Sequence, residues 1–177
     1  MLEIRRLAPQ ESSTHLRGLA HVLIDCVEGG ASVSFMPPFS LGDAEAYFTG
    51  VFESVRRSER VLLAAFLEGH LAGTVQIVTA MPPNQPHRGE IAKLLVHRQA
   101  RGRGVGQALM ERAEREASRE GKTLLVLDTA TGSAGERLYE RLNWTRVGTI
   151  PNFALFPDGR HTATTFFWKE VSTWPHS

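Results

Sequence analysis

Between residues 94 and 127 the chain runs as an apolar strand, a glycine-rich loop, a long amphipathic helix and a second apolar strand, and few folds accommodate that succession. Leu94-Leu95-Val96 leads into Arg101-Gly102-Arg103-Gly104-Val105-Gly106, and apolar residues then return at Val105, Ala108, Leu109, Ala113 and Ala117 as far as about Arg119. That spacing is one face of a 3.6-residue helix, and Glu111 stands four residues ahead of Arg115 on its outer face. Thr123 to Leu127 reads as a buried strand. Strand, crossover helix and strand make a β-α-β unit, the standard way to lay two parallel strands in one sheet.

The rest of the chain supplies the other layers. Leu2 to Leu7 is a short strand, and Ser12 or Ser13 can cap a helix with Leu16, Leu19, Ala20, Leu23 and Val27 on one face, ended by Gly29-Gly30. Asp43 can cap a second helix through Tyr47, Val51 and Val55. Arg60 to Leu67 and Leu71 to Ala80 form a hairpin about Glu68-Gly69-His70, a proline-rich loop covers Met81 to Arg88, and Glu90 to Val96 is the next strand. A helix over Ala134 to Leu142 and strands at Trp144 to Val147 and Ala163 to Val171 complete the order. An antiparallel first half feeding a β-α-β unit predicts an α/β three-layer fold, with a mixed sheet of about seven strands and helices on both faces. At 177 residues, residues 1–177 are expected to form a single domain.

Composition excludes several functions. The chain has 20 Lys+Arg against 19 Asp+Glu, which is not the basic excess of a nucleic-acid binder. No apolar run approaches the roughly 18 residues of a membrane span, and the N-terminus lacks the apolar core of a signal peptide. Cys26 is the one cysteine, so disulfide frameworks and cysteine-rich zinc sites are excluded and a reduced, cytoplasmic setting is expected. The histidines show no ligand spacing, and no metal is expected. Cys26 itself reads as a small buried apolar side chain rather than a nucleophile.

A chain turning into a helix through glycines presents free backbone N–H groups and a positive dipole end, and Arg98, Arg101 and Arg103 add charge, so the loop asks for a phosphate or pyrophosphate. A Walker A loop does not fit: Gly121-Lys122-Thr123 has its tail, but Glu116 stands at its first glycine and a strand follows. A dinucleotide fingerprint fails at Gln107, and too little chain follows Asp128 for a doubly wound sheet. Arg/Gln-x-x-Gly-x-Gly/Ala is met by Arg101, Gly104 and Gly106. With the strand LLV, the helix after the loop, the strand TLLVLDT and the segment ERLYERLNW, this resembles the GCN5-related N-acetyltransferase (GNAT) superfamily. The stretches at 29–36, 93–110, 127–142 and 157–164 look most like its tabtoxin-resistance type.

The resemblance implies an acetyl-CoA cosubstrate and a sheet whose central strands splay, so that the backbone of Leu94, Leu95 and Val96 can pair with pantetheine, while Arg101 to Gly106 (Arg101, Gly102, Arg103, Gly104, Val105, Gly106) hold the pyrophosphate. It also implies a primary-amine acceptor, in that subgroup a β-lactam toxin derived from an amino acid, and it makes Tyr139 the acid that protonates the leaving thiolate. An acceptor ammonium of pKa about 10.4 must lose a proton before it attacks. Glu90 and Asp128 are the carboxylates placed inside apolar strand patterns, and either can take that proton, anchor the ammonium, or serve only as a strand end or turn residue. Phe35, Met36 and Phe153, in loops over Gly30 to Pro38 and Ile150 to Arg160, can wall the acceptor or simply anchor those loops, and Met81 to Arg88 is a third candidate specificity loop. A protein N-terminus as acceptor and a non-catalytic CoA-binding module are the alternatives. The segment 162–171 can pair across a homodimer or close the core.

Overall fold

The strands join in one mixed sheet in the order β1-β2-β3-β4-β5-β7-β6, described with the rest of the chain over residues 1–172 in a computed structural model. The elements are β1 (Leu2–Arg6), α1 (Ser12–Glu28), α2 (Leu41–Arg56), β2 (Arg60–Leu67), β3 (His70–Val78), β4 (Arg88–Val96), α3 (Val105–Arg119), β5 (Leu124–Ala130), α4 (Ala134–Arg141), β6 (Thr145–Leu155) and β7 (His161–Glu170). All neighbours are antiparallel except β4 and β5, the parallel pair that the crossover through α3 requires.

The sheet separates two cores. On one face Leu19, Leu23, Phe48 and Phe52 of α1 and α2 pack on Leu62, Ala64 and Leu95. On the other, Leu109, Met110 and Ala113 of α3, with Leu138 and Tyr139 of α4, pack on Ile77, Ile91, Leu125, Leu127 and Phe167. This is the expected three-layer α/β architecture.

Local starts and stops differ from expectation notably at α1, α2 and β6. α1 begins at Ser12 with Glu11 before it and no side-chain cap; Glu11 instead accepts from Ala8 N at 2.8 Å. α2 is capped by Ser40, not Asp43: Asp43 N donates to Ser40 Oγ (3.1 Å) while the Asp43 carboxylate accepts from Ser40 N (2.8 Å), a reciprocal capping box. β6 runs through Thr145–Leu155, well past Val147, because β7 offers a ladder that absorbs register shifts around Val147 and again between Ile150 and Ala154. β7 lies between β5 and β6 with both its edges paired within the chain, so of the two readings of segment 162–171 the one in which it closes the core is seen.

Two irregularities of β4 shape the middle of the molecule. Thr74 pairs with Leu95 but Gln76 with Ala92, so β4 carries one extra residue in a bulge, and Lys93 there has φ 53°. The bulge shifts side-chain parity: Ile91, Leu94 and Val96 face one core and Leu95 the other. On its other side β4 pairs with β5 only from Arg88↔Leu124 to Glu90↔Val126. Beyond that point the two strands splay.

Candidate active site

The splay opens a cleft of about 1120 Å³, more than the few hundred to 1,000 Å³ of a typical small-molecule site. Its lining brings together residues far apart in sequence: Lys93 to Val96, Arg101 to Gly106 apart from Arg103, Asp128, Tyr139, Phe35 and Phe153, with Glu90 at the mouth of the splay.

The glycine loop is built to receive an anion. Gly102 (φ 73°) and Gly104 (φ 78°) occupy left-handed conformations, and a Cβ at either would meet nothing within 4 Å, so they are glycines for backbone shape and leave the space above open. Gly104 is the N-cap of α3 and has no side chain to satisfy the first amides, which therefore face the cleft unpaired by a cap. Arg101 lines the cleft, its Nε donating to Val96 O at 3.2 Å. The other two arginines depart from expectation. Arg103 pairs with Glu68 at 2.6 Å and does not line the cleft. Arg98 is turned to α1, donating to Asp25 from its backbone N (2.7 Å) and its Nε (2.8 Å). Both guanidinium groups are engaged with protein carboxylates.

Next to the loop, β4 from Ile91 to Val96 has no strand on its β5 side, so a row of backbone groups on Leu94, Leu95 and Val96 faces the gap. Cys26 also touches this wall, its thiol 3.6 Å from Val96 O. Burial raises the thiol pKa, which keeps it protonated and a poor nucleophile.

Midway along the cleft stand the titratable groups. Tyr139 is 6% exposed, packed between Trp144 and Phe167 at ring separations of 6.1 and 5.9 Å. Burial pushes its phenol well above the ordinary value, with Asp128 adding to the shift, so the group holds its proton throughout the neutral range. A phenol in that state can donate and cannot serve as a base. Asp128 is reached by solvent through the open cleft, yet the protein around it withdraws enough water to raise its carboxyl above the usual range; Lys93 opposes this and the Glu90 carboxylate reinforces it. Glu90 is held by Arg88 at 2.5 Å, and Arg88 is in turn tied to Gln85 at 2.8 Å.

The cleft is also walled by residues 29–36 and the end of β6, fastened to each other by Ser32 Oγ donating to Leu155 O (2.7 Å). Phe35 lines the cleft and is anchored against Phe39 (4.7 Å) and, edge-on, against Tyr47 (5.0 Å). Phe153 sits on β6 rather than in a loop, 49% exposed, edge-on to Phe166. The Met81 to Arg88 loop lies away from the cleft lining, its Pro86 carbonyl bound by Lys122 Nζ at 2.8 Å. Sequence reasoning passed over Lys93 and Asp25. A lysine inside the apolar run of β4 was the available signal for the first; the second depends on a contact between distant segments that no local pattern announces.

Among the described residues no group of three or more His, Cys, Asp or Glu stands together to hold a metal, and no helix is long and apolar enough to cross a membrane.

The acetyltransferase (GNAT) family model matches residues 31–144. Among solved structures, an N-acetyltransferase from Staphylococcus aureus Mu50 aligns with TM-score 0.80 at 19% identity, over 97% of this chain and 99% of its own. A GNAT superfamily phosphinothricin acetyltransferase from Sinorhizobium meliloti, solved in complex with acetyl-CoA, aligns with TM-score 0.80 at 16% identity over 99% and 91% of the two chains. A ribosomal-protein-alanine N-acetyltransferase from Brucella melitensis aligns with TM-score 0.76 at 21% identity over 96% and 99%.

Proposed function

Because the chain belongs to the acetyltransferase (GNAT) family, we propose that it moves the acetyl group of acetyl-CoA to the primary amine of a small molecule by direct attack in a ternary complex. The observation that carries this reading is the gap between β4 and β5, which runs from the glycine loop past Tyr139 and Asp128 to a walled acceptor end.

Acetyl-CoA supplies a thioester. The open amides at Gly104 to Gly106 and the Arg101 guanidinium receive its pyrophosphate, and the exposed edge of Leu94 to Val96 pairs with the pantetheine amides. A backbone N–H near Leu95 polarises the thioester oxygen. Asp128, with a carboxyl shifted toward a useful base, accepts the ammonium proton directly or through water, while Glu90, already paired with Arg88, adds negative field that keeps the acceptor in place. The neutral amine attacks, the new C–N bond forms and the C–S bond breaks. Tyr139 gives a hydrogen bond and then its proton to the departing sulfur, and the surplus proton on the new amide nitrogen passes to the phenol oxygen, directly or through water, so that Tyr139 ends neutral.

The wall formed by residues 29–36 and β6 supports a small acceptor, amino-acid-like or a β-lactam toxin, over a peptide that would need an open groove. A panel of amino acids, β-lactam amines and N-terminal peptides, assayed for CoA thiol release, tests the reading. Release with small amines is expected. Release with peptides alone would reassign the acceptor, and tight acetyl-CoA binding with no release from any amine would make the domain a binding module.

A further inference from the structure

One cation in the cleft has no part in the acetyl-transfer steps. Lys93 is the bulge residue of β4, held in the left-handed region where a glycine or asparagine would sit more easily. The bulge turns it toward the acceptor end, where its Nζ meets Ser34 Oγ at 2.9 Å, and among the described residues it forms no ion pair with a carboxylate. Arg60, whose field reaches Lys93, donates from its guanidinium to the Gln76 side-chain oxygen and adds positive charge on the same side. A half-buried ammonium whose one hydrogen-bond partner shown is a hydroxyl is well placed to gain from an anionic ligand. Asp128, the carboxylate whose field Lys93 feels, forms no ion pair with it among the described residues, and Glu90 is engaged by Arg88.

The cleft is therefore polarised across its width, with the Lys93 ammonium of the β4 bulge held against Ser34 on one side and the Asp128 carboxylate of β5 on the other. We propose that Lys93 and Ser34 form an anion subsite that takes a carboxylate of the acceptor, so that the substrate binds as a zwitterion with its ammonium toward Asp128 and its carboxylate toward Lys93. This rests on the acetyl-transfer reading and adds to it a specificity-determining residue. Phe35, alongside Ser34 on the same loop, lets apolar substituents lie between the two charges. Lys93 positions the acceptor and takes no part in bond making.

Two measurements test the subsite. In the first, proteinogenic amino acids and their methyl esters are compared as acceptors by thiol release with the wild type, Lys93→Met and Lys93→Arg. Loss of a charged hydrogen bond should reduce the acid-to-ester preference in Lys93→Met about 10- to 100-fold, through KM rather than kcat, and Lys93→Arg should largely restore it. An unchanged preference in Lys93→Met, or a wild type that prefers acceptors without a carboxylate, would overturn the proposal. In the second, the corresponding N-acetylamino acids and their methyl esters are titrated into CoA-saturated protein. Tighter binding of the acids, lost in Lys93→Met, supports the subsite whether or not turnover is seen; equal or absent binding of both refutes it. Absence of thiol release with every amine would defeat the acetyl-transfer reading separately.

Discussion

Asp25 on α1 accepts two hydrogen bonds from Arg98, one from its backbone N and one from its guanidinium, and so ties the turn ahead of the glycine loop to a helix more than 70 residues earlier in the chain. Both partners lie outside the cleft lining, yet their contact holds the turn from which the loop departs. Although burial alone would raise the Asp25 carboxyl, the Arg98 bonds together with the charges of His97 and Arg98 outweigh it and hold the pKa below the ordinary value. The stabilisation is therefore complete above the unfolded pKa of about 3.9 and is lost as pH falls through the lower folded value. Asp25→Asn should cost about 1–2 kcal/mol at neutral pH, weaken acetyl-CoA binding several-fold, and flatten the fall in stability below about pH 4. Denaturant unfolding at several pH values, with titration calorimetry for acetyl-CoA, reads all three.

Tyr139→Phe removes one oxygen and keeps the ring against Trp144 and Phe167. The fold and acetyl-CoA affinity should be nearly unchanged while kcat falls about 100-fold or more. A variant with wild-type kcat would remove the phenol from the reaction.

The three charges around the acceptor predict a pattern in the acidic limb of the kcat/KM profile. Asp128 must be ionised to accept a proton, so activity should fall as pH drops through its raised pKa, and Asp128→Asn should abolish that limb along with most activity. Glu90→Gln removes a like charge and should move the limb to lower pH. Lys93→Met removes an opposite charge and should move it higher. Shifts of the same sign in the two variants would contradict the arrangement.

Gly104→Ala places a Cβ on a residue at φ 78°. There is room for the methyl group, so the expected loss of about 1–2 kcal/mol in stability comes from the backbone alone. If the loop relaxes to relieve it, the amides at the start of α3 turn away and acetyl-CoA affinity should drop by about tenfold. Thermal unfolding and calorimetry on the same samples separate the two effects.

The sequence made the β4-loop-α3-β5 unit legible because its signals are local: glycines where the backbone needs positive φ at residues 102 and 104, and a 3.6-residue apolar period through α3. Tyr139, Asp128 and Glu90 were legible as chemically exceptional residues in otherwise apolar or helical patterns. What stayed hidden depends on pairing. The bulge at Lys93 leaves no mark on Ile91-Ala92-Lys93-Leu94-Leu95-Val96, which reads as an ordinary strand until β3 is laid beside it. Arg98 and Arg103 looked like ligands for phosphate because Asp25 and Glu68 are distant in sequence. The full length of β6 was obscured by Gly148, Pro151 and a run of exposed apolar residues that gives no alternation to follow.

Across its centre the sheet is joined only where Arg88 to Glu90 meet Leu124 to Val126, so the strands β1–β4 and β5–β7 resemble two covers sharing a short spine. A ligand lying along the open edge of β4 bridges both covers and supplies the cross-links that the backbone lacks there. Folding and loading are then thermodynamically linked, and a bound ligand deepens the native well by an amount set by its concentration relative to its dissociation constant. Where acetyl-CoA is scarce that added stability should fall with it, and resistance to proteolysis should decline in step.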